Sequence, residues 1–133
     1  MKIERVLQYM DELLDVAEHP DYGNALNGLQ VAGPEEVAHV CAAVDTSEET
    51  IDAAVDAGAD LLLVHHGLFW DGLKPLTGRR FRKVARLVRN GVALYAAHLP
   101  LDAHPEVGNC ALLARELGIE PEERFGAYEG API

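Results

Sequence analysis

Two histidine-containing segments hold the residues best suited to chemistry. His65 and His66 follow the apolar run at 61–64, and the second segment reads His98-Leu-Pro-Leu-Asp102. Imidazole suits zinc, iron, nickel and copper, and a carboxylate extends the choice to manganese and magnesium. Mixed histidine and carboxylate ligands are typical of catalytic metal sites with an open position. We therefore predict a divalent-metal site with His65, His66 and Asp102 as ligands. His98 is the catalytic candidate, as a further ligand or a proton carrier.

These residues also allow simpler interpretations. An isolated His-His pair is weak evidence for metal, and His98 with Asp102 could be a helix-capping hydrogen-bond pair. Because adjacent strand residues point to opposite faces, His65 and His66 can face one metal only if the strand breaks there, and Gly67 permits such a break. The coincidence of the two segments favours the metal site.

Hydrophobic periodicity predicts the elements that must position these side chains. Helices are expected at about 2–18, at 79–90 with Phe81, Val84, Leu87 and Val88 facing inward, and at about 105–117 with Pro105 in its first turn. A further helix is expected to start at a capping box of Thr46 and Glu49 and to end at Gly58. Buried strands are expected at 37–44, 61–64 and 92–97, and residues 20–35 are expected to form a loop around a short apolar piece, 29–32.

This alternation predicts an α/β fold with a largely parallel sheet and covering helices, formed by residues 1–133 as a single domain. Right-handed crossovers place the carboxyl ends of parallel strands at one edge, where ligands bind in open α/β sheets. The histidines and Asp102 fall at or just after such ends. Asp45 does too, and could orient a metal ligand or cap the helix that follows.

Charge and composition restrict the class of partner. The 133 residues carry a formal net charge of −11, which disfavours nucleic acid and anionic membranes as partners. The basic residues concentrate in 79–90, either as a solvated helix face or as a patch for a phosphorylated ligand. No apolar run is long enough to span a bilayer and the N-terminus does not resemble a signal peptide, so a cytoplasmic location is expected.

Four segments together are similar to a known family. They are Asn27-Gly-Leu-Gln-Val31 with Gly33, Val44-Asp45, His65-His66-Gly67-Leu-Phe-Trp70, and His98-Leu-Pro-Leu-Asp102 with Gly108-Asn109. They lie in register over nearly the whole chain, and the two histidine segments make the match specific. The chain resembles the N-terminal part of the Ngg1-interacting-factor-three-like proteins, the type-two homologues of GTP cyclohydrolase one.

The resemblance implies one lobe of a ring-forming homo-oligomer with metal sites facing a central cavity. His65, His66 and Asp102 fall on the family's ligand positions, and His98 on a position that lines the site. The complete site would hold two divalent ions, with zinc, iron and manganese not distinguished. The implied function is a metal-dependent hydrolase, GTP cyclohydrolase-like or phosphoesterase-like, acting on a phosphorylated or nucleotide-like small molecule. The alternative is a non-catalytic metal-binding scaffold or regulatory interaction protein.

Family members are longer, and a late His and Glu in their second lobe complete the metal cluster. No such late pair occurs before Ile133. The resemblance therefore leaves three alternatives: a fragment, a protein that works with an incomplete cluster, or a partner chain that supplies the remaining ligands.

Overall fold

The computed structural model describes residues 1–70, 72–120, 122–123 and 125–132. The helices are α1 (Ile3–Leu14), α2 (Glu48–Asp56), α3 (Gly78–Asn90), α4 (Leu99–Asp102) and α5 (Asn109–Glu116). The strands are β1 (Gly28–Val31), β2 (Val40–Asp45), β3 (Leu61–His66), β4 (Ala93–Ala96), β5 (Ala127–Tyr128) and β6 (Ala131–Pro132).

Four strands form the main sheet, in the order β1-β4-β3-β2. The pairs β2–β3 and β3–β4 are parallel, and β1 adds antiparallel to β4 with an irregular register between Leu29 and Val31. The predicted α/β class with a largely parallel sheet is confirmed. Strand β1 lies where a loop was expected, because its short apolar piece pairs with β4 as an edge strand.

Helices pack on both faces of this sheet. On one face, Ile51 of α2 and Leu87 of α3 lie in a core with Leu62, Val64 and Leu94. On the other face, α1 packs through Ile3 and Leu14 against Leu61, Ala93 and Tyr95. Successive strand residues alternate between the two cores, as the pleat of a strand requires. The fully buried Tyr95 donates its hydroxyl to Asp11 Oδ1 at 2.7 Å and so ties α1 to the sheet.

Two expectations of burial are wrong. Strand β2 is an edge strand, and Val40 and Val44 on its outward face are 51% and 62% exposed. In α3, Leu87 is buried as expected, but Phe81 and Val88 are exposed. Helix α3 therefore buries a narrower apolar stripe than the sequence pattern indicated, because it packs mainly on α2 and only lightly on the sheet.

Two helix starts also differ from expectation. The N-cap of α2 is Ser47, whose Oγ accepts from the Thr50 N–H, whereas Thr46 donates its hydroxyl to the His66 carbonyl. The segment at 105–117 contains a helix only from Asn109. Pro105 lies before it, in turns where Nδ1 of His104 accepts the N–H groups of Glu106 and Val107.

Among the described residues, no helix combines the length and the apolar character needed to cross a membrane.

Candidate metal centre

Three imidazoles meet at the carboxyl edge of the parallel strands. His65 and His66 end β3, and His98 follows β4, the neighbouring parallel strand. The ring centroid of His65 lies 4.5 Å from that of His66 and 4.8 Å from that of His98. One ring nitrogen of each lies within 4.8 Å of the others. The grouping that topology predicted is therefore present, and β3 continues through both histidines without the break that we expected to be necessary.

Each of these imidazoles has a hydrogen-bond acceptor at Nδ1. The pairs are His65 with the Ala97 carbonyl at 3.1 Å, His66 with Asp45 Oδ1 at 2.7 Å, and His98 with Asp21 Oδ1 at 2.9 Å. Carbonyl and carboxylate oxygens only accept, so each Nδ1 must carry the proton. In the neutral form of each ring, Nε2 is then the unprotonated nitrogen. Histidines that bind metals commonly have this arrangement, with the second nitrogen donating to a carboxylate or carbonyl.

Asp102 adds a carboxylate beside the imidazoles. It is the last residue of α4, and its Oδ2 lies 3.5 Å from Nε2 of His65. Its other oxygen accepts a hydrogen bond from Nδ2 of Asn109 at 2.7 Å. The structure thus brings all four predicted site residues together. Their assignment as ligands, and that of His98 as the catalytic residue, stays a prediction.

The lowered pKa of His65 favours metal binding. Burial lowers the pKa of His65, while Asp102 and the Ala97 carbonyl act to raise it and the neighbouring His66 and His98 lower it further. The net shift is downward, so the ring is neutral over a wider pH range than a free imidazole. Only the neutral ring offers an unprotonated nitrogen to a metal ion.

Two residues of the site were missed in the sequence. Asp21, which lies in the segment expected to be a loop, accepts from Nδ1 of His98, and Asn27 accepts the His98 N–H at 2.8 Å. Asn27 belongs to one of the segments that carry the family resemblance, but no role in the site was predicted for it. Burial raises the pKa of Asp21, but hydrogen bonds from Asn27, His98 and two backbone amides outweigh it and lower the pKa overall.

Aromatic side chains form one wall of the site. The Trp70 ring lies edge-on to His98 at 4.3 Å and to His66 at 5.8 Å, and the half-exposed Tyr22 lies 5.6 Å from His98. The loop that carries Trp70 is tied to β1, since Oε1 of Gln30 accepts the Leu68 N–H at 2.7 Å. Trp70 is thereby a neighbour of the imidazoles and not part of the core.

Three of the six basic residues of helix α3 form ion pairs with acidic residues of α2. Arg79 and Arg82 pair with Glu48, and Arg86 pairs with Asp52. Lys83 donates to the Thr46 carbonyl, next to Asp45. These contacts fit the interpretation of a solvated, ion-paired helix face better than that of an open anion-binding patch.

Comparison with known proteins decides the family. The model of the Duf34/NIF3 (NGG1p interacting factor 3) family matches residues 1–131. The chain belongs to the Duf34/NIF3 family. This confirms the resemblance that the two histidine segments carry.

Two similar proteins align with all or nearly all of the chain. A protein of Archaeoglobus fulgidus named GTP cyclohydrolase 1 type 2 homolog is 47% identical over 133 residues, which are 100% of this chain and 54% of that protein. The crystal structure of TTHA1606 from Thermus thermophilus superposes with a TM-score of 0.88 at 42% identity, covering 99% of this chain and 53% of the other. The chain thus spans about half the length of these relatives.

Proposed function

We propose that this chain binds divalent metal ions through His65, His66 and Asp102, with His98 as a further ligand or proton carrier. The observation that carries the proposal is the shared hydrogen-bond pattern of the three imidazoles. All three direct Nδ1 to an acceptor, which leaves Nε2 unprotonated in the neutral ring, and one ring nitrogen of each lies within 4.8 Å of the others. Three grouped imidazoles with the Asp102 carboxylate beside them offer nitrogen and oxygen ligands that suit a divalent ion.

We further propose that the metal centre serves hydrolysis, in keeping with the name GTP cyclohydrolase 1 type 2 homolog of the relatives. A bound divalent ion would supply a Lewis acid and lower the pKa of a water molecule at the site. The chain's own residues would hold the ion, exclude water on the Trp70 side and provide His98 beside the reaction. The partly exposed aromatic wall favours a small molecule with a planar group, such as a nucleotide-like compound, over a polymer.

The competing function is a non-catalytic metal-binding scaffold or regulatory protein. The family name, NGG1p interacting factor 3, records an interaction and supports this alternative. A ring-like homo-oligomer and a cytoplasmic location belong to the proposal in either case. Because the chain spans about half of its relatives, a second half or partner chain would complete a centre of two ions.

Metal-dependent turnover separates the two functions. Purified protein loaded with zinc, manganese or iron is assayed with GTP and with nitrophenyl phosphate esters. Turnover that depends on metal, disappears in His65→Ala and persists in the surface control His39→Ala would support the hydrolase. Metal binding without turnover of any of these compounds would favour the scaffold.

A further inference from the structure

Behind the metal centre, a buried carboxylate holds one of its imidazoles. We propose that Asp21, clamped by Asn27, is the positioning residue of His98: it fixes the ring as the Nδ1–H tautomer and aims Nε2 at the metal. The inference rests on the proposed metal-binding function and deepens it. Asp21 would act on the ion only through His98 and would not touch it.

Both oxygens of Asp21 are fully engaged. Oδ1 accepts from the Tyr22 N–H at 2.7 Å and from Nδ1 of His98 at 2.9 Å. Oδ2 accepts from Nδ2 of Asn27 at 2.9 Å and from the Leu99 N–H at 3.0 Å. All four partners are donors. They therefore stabilise Asp21 as the carboxylate, because the proton of a carboxylic acid would find no acceptor among them.

Asn27 bridges the Asp21 carboxylate and the backbone of His98. Its amide nitrogen donates to Asp21, and its amide oxygen accepts the His98 N–H at 2.8 Å. The two side chains therefore hold His98 at its ring, at its own backbone amide and at the amide of Leu99. Asn27 thereby has a role in positioning His98.

The other imidazoles are held less firmly. Asp45, the partner of His66, is 70% exposed and makes one contact to the ring, whereas the side chain of Asp21 is 5% exposed. His65 donates to a neutral carbonyl. A hydrogen bond to a buried carboxylate is stronger than one in contact with water. Asp21 should therefore restrict the tautomer and orientation of the His98 ring more than Asp45 restricts those of His66.

Replacing Asp21 by asparagine tests its positioning role, because the side chain hardly changes in size. An amide has one accepting oxygen and one donating nitrogen, so the new NH2 group would face donors that Asp21 now satisfies. If that oxygen keeps His98 and Tyr22, the NH2 group faces Leu99 and Asn27. If it keeps Leu99 and Asn27, the NH2 group faces the ring and favours the other tautomer. Asp45→Asn is the matched control, because at this exposed position either the amide oxygen or water can accept from Nδ1 of His66.

The experiment combines two measurements. Nitrogen-15 NMR of the metal-free protein at about pH 8.5, roughly two units above the ordinary pKa of imidazole, reads the His98 tautomer. Titration with zinc against a competing chelator reads affinity. We expect Nδ1–H for His98 in the wild type, a mixture or reversal in Asp21→Asn, and about 10–100-fold weaker zinc binding in that variant. Asp45→Asn should lose less than about tenfold.

Different failures have different meanings. If the wild type binds none of zinc, manganese and iron, the proposed function is overturned. If zinc binds but Asp21→Asn keeps both the tautomer and the affinity, the positioning role alone is overturned. An affinity loss with an unchanged tautomer would also overturn it, because the effect would then be merely structural. Should Asp21→Asn fail to fold, the wild-type spectrum still decides, since a His98 ring found as Nε2–H contradicts the proposal.

Discussion

Asp45 Oδ1 accepts a hydrogen bond from Nδ1 of His66 at 2.7 Å, and the two residues are register partners at the ends of β2 and β3. The pairing of two parallel strands thus sets the orientation of an imidazole directly. Asp45 acts on the candidate metal centre from the sheet itself, and the cap of the following helix is left to Ser47.

Removing this carboxylate should weaken metal binding modestly. Asp45→Ala frees the His66 ring to rotate, but the exposed position lets water accept from Nδ1. We expect zinc affinity to fall by a factor of up to about ten, measured by chelator competition. Asp56→Ala, at the end of α2, removes the same charge from the protein without a contact to the histidines. Equal affinities in the two variants would show that only net charge matters.

Gly108 should be intolerant of any side chain. A Cβ at this position would lie 2.7 Å from the Asp102 carbonyl oxygen and would also press on the backbone of His104. Backbone cannot swing away, so Gly108→Ala should lower the free energy of unfolding by about 1–3 kcal/mol. It should also weaken zinc binding, because the turn that carries Asp102 must shift.

Gly23→Ala is the matched control for this prediction. A Cβ added to Gly23 would have no atom within 4 Å, so urea unfolding should show a change within about 0.5 kcal/mol. A Gly108→Ala protein as stable as Gly23→Ala would refute the tight approach of α4 to the turn before α5.

Acid should remove a contribution of Asp60 to stability. The Ala38 and His39 N–H groups donate to Asp60 Oδ2 at 2.8 and 2.9 Å, and these hydrogen bonds, His39 first, lower the pKa of Asp60. A carboxyl whose pKa is lower in the folded state stabilises the fold above its unfolded pKa of about 3.9, and this is lost as pH falls through the folded value.

The stability gap between wild type and Asp60→Ala should therefore be constant from about pH 7 to 5 and narrow below about pH 4. Urea unfolding followed by circular dichroism at several pH values measures the gap. Asp52→Ala, which removes a carboxylate that pairs with Arg86 on the surface, serves as a comparison. A gap that stays constant down to about pH 3 would contradict the role assigned to the Asp60 carboxylate.

The parallel part of the fold and the grouping of the histidines could be predicted from the sequence. Apolar runs mark β3 and β4, and parallel pairing then brings His65, His66 and His98 to one edge whatever their separation along the chain. Strand β1 was not predicted, because Gly28–Val31 is short and becomes a strand only by pairing with β4.

The supporting residues depend on tertiary contacts that no local pattern specifies. Asp21 lies 77 positions before His98, and its role exists only because the loop after α1 folds over the end of β4. Helix α4 was missed for a related reason, since the pattern around Pro100 also fits a turn. Motif and topology thus located the candidate ligands, whereas the hydrogen-bond partners that orient them required the structure.

Metal content tests the central claim most directly. Elemental analysis is carried out on wild type, His65→Ala/His66→Ala and the surface control His39→Ala, each incubated with zinc, manganese or iron and then desalted. We predict about one or two ions per chain in the wild type and the control, and loss of metal in the double variant. A wild-type protein without metal, or a double variant that retains it, would contradict the metal centre.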